Sequence, residues 1–112
     1  MKIVYNKIIP FPGFLAINLF GILFVRERVI LTDEIINHER IHTAQIKELL
    51  YLFFYLFYFL EWIFRLFQFG FTKESYYNIS FEREAYANQA NGIYLKFRTK
   101  YAFINYLKQN KK

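Results

Sequence analysis

His38-Glu39-Arg40-Ile41-His42 sets two imidazoles four residues apart, with a carboxylate directly after the first. On a helix, such a pair differs by about 40° of rotation and stands roughly 6 Å apart along the axis. Both rings therefore leave one face and can reach a single ion. Glu39 is turned about 100° from His38, a poor position for a third ligand but a good one for a base beside the ion. Zinc lowers the pKa of a water toward ~7 and polarises carbonyls, and a carboxylate within reach can take that water's proton as it attacks. One short stretch thus supplies two ligands and a general base, the requirements of metal-assisted hydrolysis. The chain has no cysteine, so any ion must be held by nitrogen and oxygen, and Zn2+ is the expected cofactor.

A third ligand has to come from elsewhere in the chain. Glu48 points about 120° away from His42 on a continuing helix and is a weak candidate. The later stretch "SFEREAYANQ", residues 80–89, offers Glu82 and Glu84. These lie about 200° apart on a helix, so only one of them can face the ion. Glu82 shares its face with Ala85, Tyr86 and Gln89, and the small Ala85 permits close approach of another helix, which favours Glu82. Glu84 stands as the alternative ligand, or as a partner that orients a histidine or pairs with an arginine. Gln45 and Tyr86 are candidates for the same supporting role. Tyr76, Tyr77 and Tyr86 carry hydroxyls that suit an oxyanion stabiliser.

Taken together, "NHERIHTAQ" and "SFEREAYANQ" resemble the gluzincin metallopeptidases, and among them are similar to a group of very small bacterial proteins, the minigluzincin-like chains. The run "IPFPGFLAINLFGILFVRE" matches the same group more loosely. The resemblance implies His38, His42 and Glu82 as zinc ligands and Glu39 as general base and acid. It also implies an inner-membrane bacterial setting with the site on the cytoplasmic side, and absence of cysteine is compatible with a reducing compartment. One position departs from the pattern. Many gluzincins carry Asp four residues after the ligand Glu, where it orients a histidine, and here that residue is Tyr86.

These residues need elements to hold them. A chain of 112 residues is long enough for one small domain. The hydrophobic share is 55%, above the ordinary soluble range, and is dominated by 15 Phe and 10 Tyr. Pro10, Pro12, Gly13 and Gly21 interrupt the apolar run 8–25, which argues against a signal peptide or a first span. A β-hairpin is expected instead, with strands near 14–20 and 22–30 turning about Gly21. The charges in "VRERVIL" mark an edge strand. Thr32 or Asp33 is the expected cap of the His38–His42 helix, with Asp33 and Glu34 in its first turn. Gly70 is expected to end the apolar segment, a polar loop to cover 71–78, and Ser80 to cap a last helix over 81–108. That helix would bury Ile93, Phe97, Tyr101, Ile104 and Leu107. The expected class is therefore α+β, mostly helical.

Residues 49–69, "LLYLFFYLFYFLEWIFRLFQF", are long and apolar enough to span a bilayer. Glu61 and Arg65 sit at a spacing that lets them pair. A straight helix over 43–69 would carry the chain about 40 Å from the ion, and residues 70–81 could barely return at ~3.4 Å each. The segment must therefore bend, as an aromatic hairpin or as a membrane-surface insertion. The net charge of +6 suits anionic headgroups, and no nucleic-acid motif is present. The expected function is zinc-dependent peptide-bond hydrolysis at a membrane, on a peptide or protein substrate aligned along the strand near 22–28. The alternatives are a non-catalytic zinc-containing membrane or partner-binding module, and a metal-free membrane-surface protein. A homo-oligomer could bury the apolar block.

Overall fold

A three-stranded sheet opens the structure, a computed structural model that describes residues 1–8, 16–27 and 29–107. Strands β1 (Lys2–Asn6), β2 (Ala16–Leu19) and β3 (Ile22–Arg26) form one sheet in the order β1-β3-β2. The β2–β3 pair is antiparallel with Leu19 opposite Ile22, so Phe20 and Gly21 form a two-residue turn at φ of 55° and 87°. Two positive φ values match the right-handed twist of the flanking strands. Phe20 is held in this unfavoured conformation by Tyr55, whose hydroxyl accepts its N–H at 2.7 Å and whose ring lies 5.0 Å away.

The sheet departs from expectation in two ways. β1 was not foreseen, and it pairs in parallel with β3. β3 is therefore central, not an edge strand, and it stops at Arg26 short of residue 30. Pairing on both sides leaves Leu23 and Val25 fully buried. Residues 14 and 15, Pro10, Pro12 and Gly13 lie outside the described residues.

Helix α1 (Asp33–Glu48) begins at Thr32, whose Oγ1 accepts the Ile35 N–H at 3.2 Å. Asp33 and Glu34 place negative charge where the helix dipole is positive. Asn18 of β2 fixes the hairpin to α1, donating from Nδ2 to Glu39 O at 3.0 Å and Thr43 Oγ1 at 2.8 Å. The break that the distance argument requires occurs at Leu50 and Tyr51, both at positive φ. Tyr51 N–H reaches back to Ile46 O at 2.8 Å and Leu50 N–H to Lys47 O at 3.1 Å, a helix-ending pattern that usually has glycine in the place of Leu50. Leu52 N–H then bonds Leu50 O across Tyr51 at 2.7 Å, a tight γ-turn.

Helix α2 (Leu52–Phe69) is consequently one uninterrupted helix and not a hairpin. Gly70, at φ 76°, ends it. The expected loop contains a short helix α3 (Lys73–Tyr77), followed by α4 (Ser80–Asn88). Ser80 is the first residue of α4 and not its cap. The Glu61 carboxylate caps it, accepting Ser80 N–H and Oγ–H, both at 2.6 Å. Ile46, Phe54, Ile79, Phe81 and Phe103 form the main core cluster, so α1, α2 and α4 meet around aromatic rings.

The last long helix is not formed. α4 stops at Asn88, where Asn37 Nδ2 donates to the carbonyls of Asn88, Gln89 and Asn91. A single turn α5 (Tyr94–Phe97) follows, then extended backbone at Arg98 and a 3-10 turn over Ala102–Tyr106. The residues expected to be buried there face outward, with Phe97 71% and Ile93 60% exposed, while Ala102 and Phe103 join the core. Breaking the helix is what allows Arg98 to turn in and reach Glu84 and Glu48.

Candidate metal centre

The centre is assembled from α1 and α4. His38 and His42 lie on the α1 face that meets α4, and Glu82 lies on the first turn of α4 opposite them. All three are buried. His38 Nε2 lies 3.1 Å from Glu82 Oε1, His42 Nε2 lies 3.0 Å from the same oxygen, and the two Nε2 atoms are 3.1 Å apart. Ligands at ~2.05 Å on a tetrahedral zinc ion stand about 3.3 Å from one another. The donor triangle therefore has the size of one face of such a tetrahedron, leaving the fourth position without a residue of this group.

The surrounding hydrogen bonds fix what those atoms can be. Gln45 Nε2 donates to Phe81 O at 3.0 Å and to Glu84 Oε1 at 2.9 Å. Its Oε1 is then an acceptor, and His42 must donate Nδ1–H to it, at 2.8 Å. Gln89 is fixed in the same manner, donating to Glu34 Oε2 at 3.3 Å and accepting from His38 Nδ1 at 2.9 Å. With Nδ1 protonated, each neutral ring turns an Nε2 lone pair inward. Two nitrogen lone pairs and a carboxylate oxygen then converge, an arrangement that repels unless a cation lies among them. Without an ion a proton takes that role. Burial opposes charging His42, but the adjacent Glu82 carboxylate outweighs it and raises the imidazole to about 9. Burial likewise opposes ionisation of Glu82, yet the same histidines hold its carboxyl well below the ordinary range.

Glu82 has a further partner that the sequence pattern did not single out. Tyr58, on α2, donates its hydroxyl to Glu82 Oε2 at 2.7 Å. One carboxylate oxygen is thereby occupied, and Oε1 alone is turned to the histidines. A signal was available, since Tyr55, Tyr58, Glu61 and Arg65 form a polar stripe at helical spacing through an apolar block.

Glu84 is turned away from the ion position. Its carboxylate accepts from Arg98, from Tyr94 Oη at 2.6 Å and from Gln45, while Arg98 also makes a two-pronged contact with Glu48 at 2.7 and 3.0 Å. Burial would raise Glu84, but those hydrogen bonds and the Arg98 charge hold it below its usual value. Glu84 therefore acts on His42 only through Gln45, and Glu48 is occupied by Arg98. Tyr86 does not take the orienting role at His38 Nδ1, which falls to Gln89. Its ring instead packs edge-on against His38, 4.4 Å between centroids. Tyr76 Oη lies 3.4 Å from Tyr86 Oη, and the Tyr77 ring meets that of Tyr86 edge-on, 5.1 Å between centroids. Burial keeps the Tyr76 and Tyr86 hydroxyls protonated; Tyr76 donates to Tyr86 across their contact, which leaves the Tyr86 O–H as the donor of the pair.

Glu39 lies beside the triangle but outside it. Burial raises its carboxyl above the ordinary value, partly offset by His42 and His38. A carboxylate shifted in that direction is a better proton acceptor near neutral pH. No family model, curated protein or solved structure matches the chain. What the chain shows by its own geometry is a buried His38–His42–Glu82 group that could hold a metal ion.

Proposed function

We propose that the protein is a zinc-dependent hydrolase of peptidase type, with His38, His42 and Glu82 as ligands and Glu39 as general base. The observation that carries this reading is the convergence of three acceptor atoms within 3.1 Å while both histidine Nδ1 atoms are pinned by glutamines. Zinc held there supplies Lewis-acid activation of water and of a substrate carbonyl. Glu39 takes the proton of the attacking water and returns it to the leaving amine. Tyr86, packed against His38 and accepting from Tyr76, is the hydroxyl assigned here to donate to the oxyanion. β3 (Ile22–Arg26), the strand expected to align the substrate, is paired on both sides and has no free edge to offer a peptide. Among the described residues β1 and β2 each pair only with β3, and of these two outer edges that of β2, bonded to α1 through Asn18, is the one beside the helix of the histidines and the one assigned here to an extended peptide.

A second reading, a non-catalytic zinc module, is favoured by the depth of the ligands, of which both histidines are 6% exposed. Cleavage of quenched fluorescent peptides by zinc-loaded protein separates the two. The hydrolase reading predicts turnover that falls by about 10²–10⁴ in Glu39→Gln while bound zinc is unchanged. Stoichiometric zinc with no cleavage of any peptide would leave the structural module standing.

A further inference from the structure

Helix α2 is amphipathic in the wrong sense for a water-facing helix. Its stripe Phe53, Leu56, Leu60, Phe64 and Phe67, at spacings of three and four, faces outward, each residue at least 49% exposed. Its polar stripe faces inward and is hydrogen-bonded to the protein at each turn. Tyr55 bonds the hairpin, Tyr58 bonds Glu82, Glu61 caps α4, and Arg65 Nη2 donates to Leu107 O at 2.8 Å. The length and composition of α2 would allow it to cross a bilayer, with a mean hydropathy of 1.3. Residues 55 and 65 are separated by about 15 Å of helix, however, and the contacts are distributed over all of it. A helix lashed lengthwise to a polar body cannot stand upright in a bilayer without taking that body in with it.

Charge selects what covers the face. The side chains of Glu48, Glu61, Glu82 and Glu84 are at most 10% exposed, and Arg65 and Arg98 are the cations drawn in with them. The outward charge is therefore more positive than the formal +6 of the chain. Exposed Lys47 and Lys73 flank the two ends of α2, and the outer stripe itself carries no charge. Two copies brought together at this face would repel, whereas an anionic lipid surface attracts it.

We propose that α2 lies in the plane of an anionic phospholipid surface, its Phe and Leu stripe sunk at the boundary between headgroups and acyl chains. Tyr58 then places the metal centre on the side of α2 away from the lipid, so the substrates it meets are polypeptide segments at the membrane surface. The lipid contact itself does not depend on the hydrolase reading.

The chain has no cysteine among its residues, so Phe53→Cys, Leu60→Cys and Phe67→Cys give single labelling sites along the stripe. Each full-length variant carries an environment-sensitive fluorophore and is mixed with phosphatidylcholine vesicles with and without phosphatidylglycerol. Binding is expected to be at least tenfold tighter with phosphatidylglycerol and to weaken with salt. Depth-dependent quenchers should place all three labels at one shallow depth. Labels graded through the bilayer, over the ~21 Å between residues 53 and 67, would show a span and overturn the proposal. Equal binding to both vesicle types, or no vesicle binding together with concentration-dependent dimers in sedimentation, would also overturn it. Phe53→Glu with Leu60→Glu should lose vesicle binding at least tenfold while keeping the far-ultraviolet circular dichroism and zinc uptake of the parent. Unchanged vesicle binding in that variant would place the contact elsewhere.

Discussion

Glu82 and Glu84 stand two residues apart on one short helix, both buried and both held ionised, yet their surroundings differ in kind. Glu84 faces the permanent cation Arg98, with Tyr94 and Gln45 completing its hydrogen bonds. Glu82 faces two imidazoles that carry a charge only when protonated. The first carboxylate has its counter-charge built into the chain. The second borrows one, a proton at low zinc and a metal ion when zinc is present. A buried anion with a fixed partner reads as architecture, and one whose neighbours present lone pairs reads as a binding site.

The largest effect should come from breaking the finished side of that comparison. Arg98→Ala leaves Glu84 and Glu48 buried without their cation, a change that typically costs about 3–5 kcal/mol. Thermal or urea unfolding should show that loss to the same extent with and without zinc. A loss confined to the zinc-loaded protein would mean that Arg98 serves the metal and not the fold. The next effect sharpens the other side. Tyr58→Phe removes one hydroxyl from Glu82 Oε2 and should weaken zinc binding by about 10–100-fold, as loss of an outer partner usually does. In cobalt-substituted protein, freeing Oε2 should shift the visible spectrum toward higher coordination. An unchanged affinity and spectrum would show that Tyr58 does not restrict the carboxylate.

The smallest effect is one of pH. In metal-free protein His42 is raised from 6.5 to about 9 by Glu82. A folded-state pKa above the unfolded one contributes stability that is complete below ~6.5 and fades as pH rises through about 9. Zinc competes with that same proton, so the stabilisation it gives should grow over the same interval. Melting curves with chelator and with zinc, taken between pH 6 and 10, should therefore diverge as pH rises. Parallel curves would remove His42 from the ion's ligands.

The parts of this arrangement that local spacing controls were legible from residues alone. Two histidines four apart share a helix face wherever the helix forms, Gly21 marks the hairpin, and Gly70 ends α2. The class, α+β and mostly helical, follows from such signals. The rest depends on contacts distant in sequence. Nothing local marks Leu50 and Tyr51 as a break, because an unfavoured φ costing on the order of 1–3 kcal/mol is tolerated only where packing enforces it. The helical spacing of Ile93, Phe97 and Tyr101 had no helix behind it, since Asn37 stops α4 and the Glu84–Arg98 pair turns the chain inward. Tyr58 was hidden among the aromatic residues of α2, though its companions at 55, 61 and 65 outline the inward stripe. β1 has alternating exposure too slight to distinguish it from a terminal arm.

The claim that Glu82 completes a zinc site and Glu84 does not is tested most directly by equilibrium zinc titration of the parent, Glu82→Gln and Glu84→Gln. The parent should bind one equivalent, Glu82→Gln should lose it, and folded Glu84→Gln should retain it with weakened affinity, because Glu84 reaches His42 only through Gln45. No zinc uptake by the parent, or a site that survives Glu82→Gln and disappears in Glu84→Gln, would contradict the account.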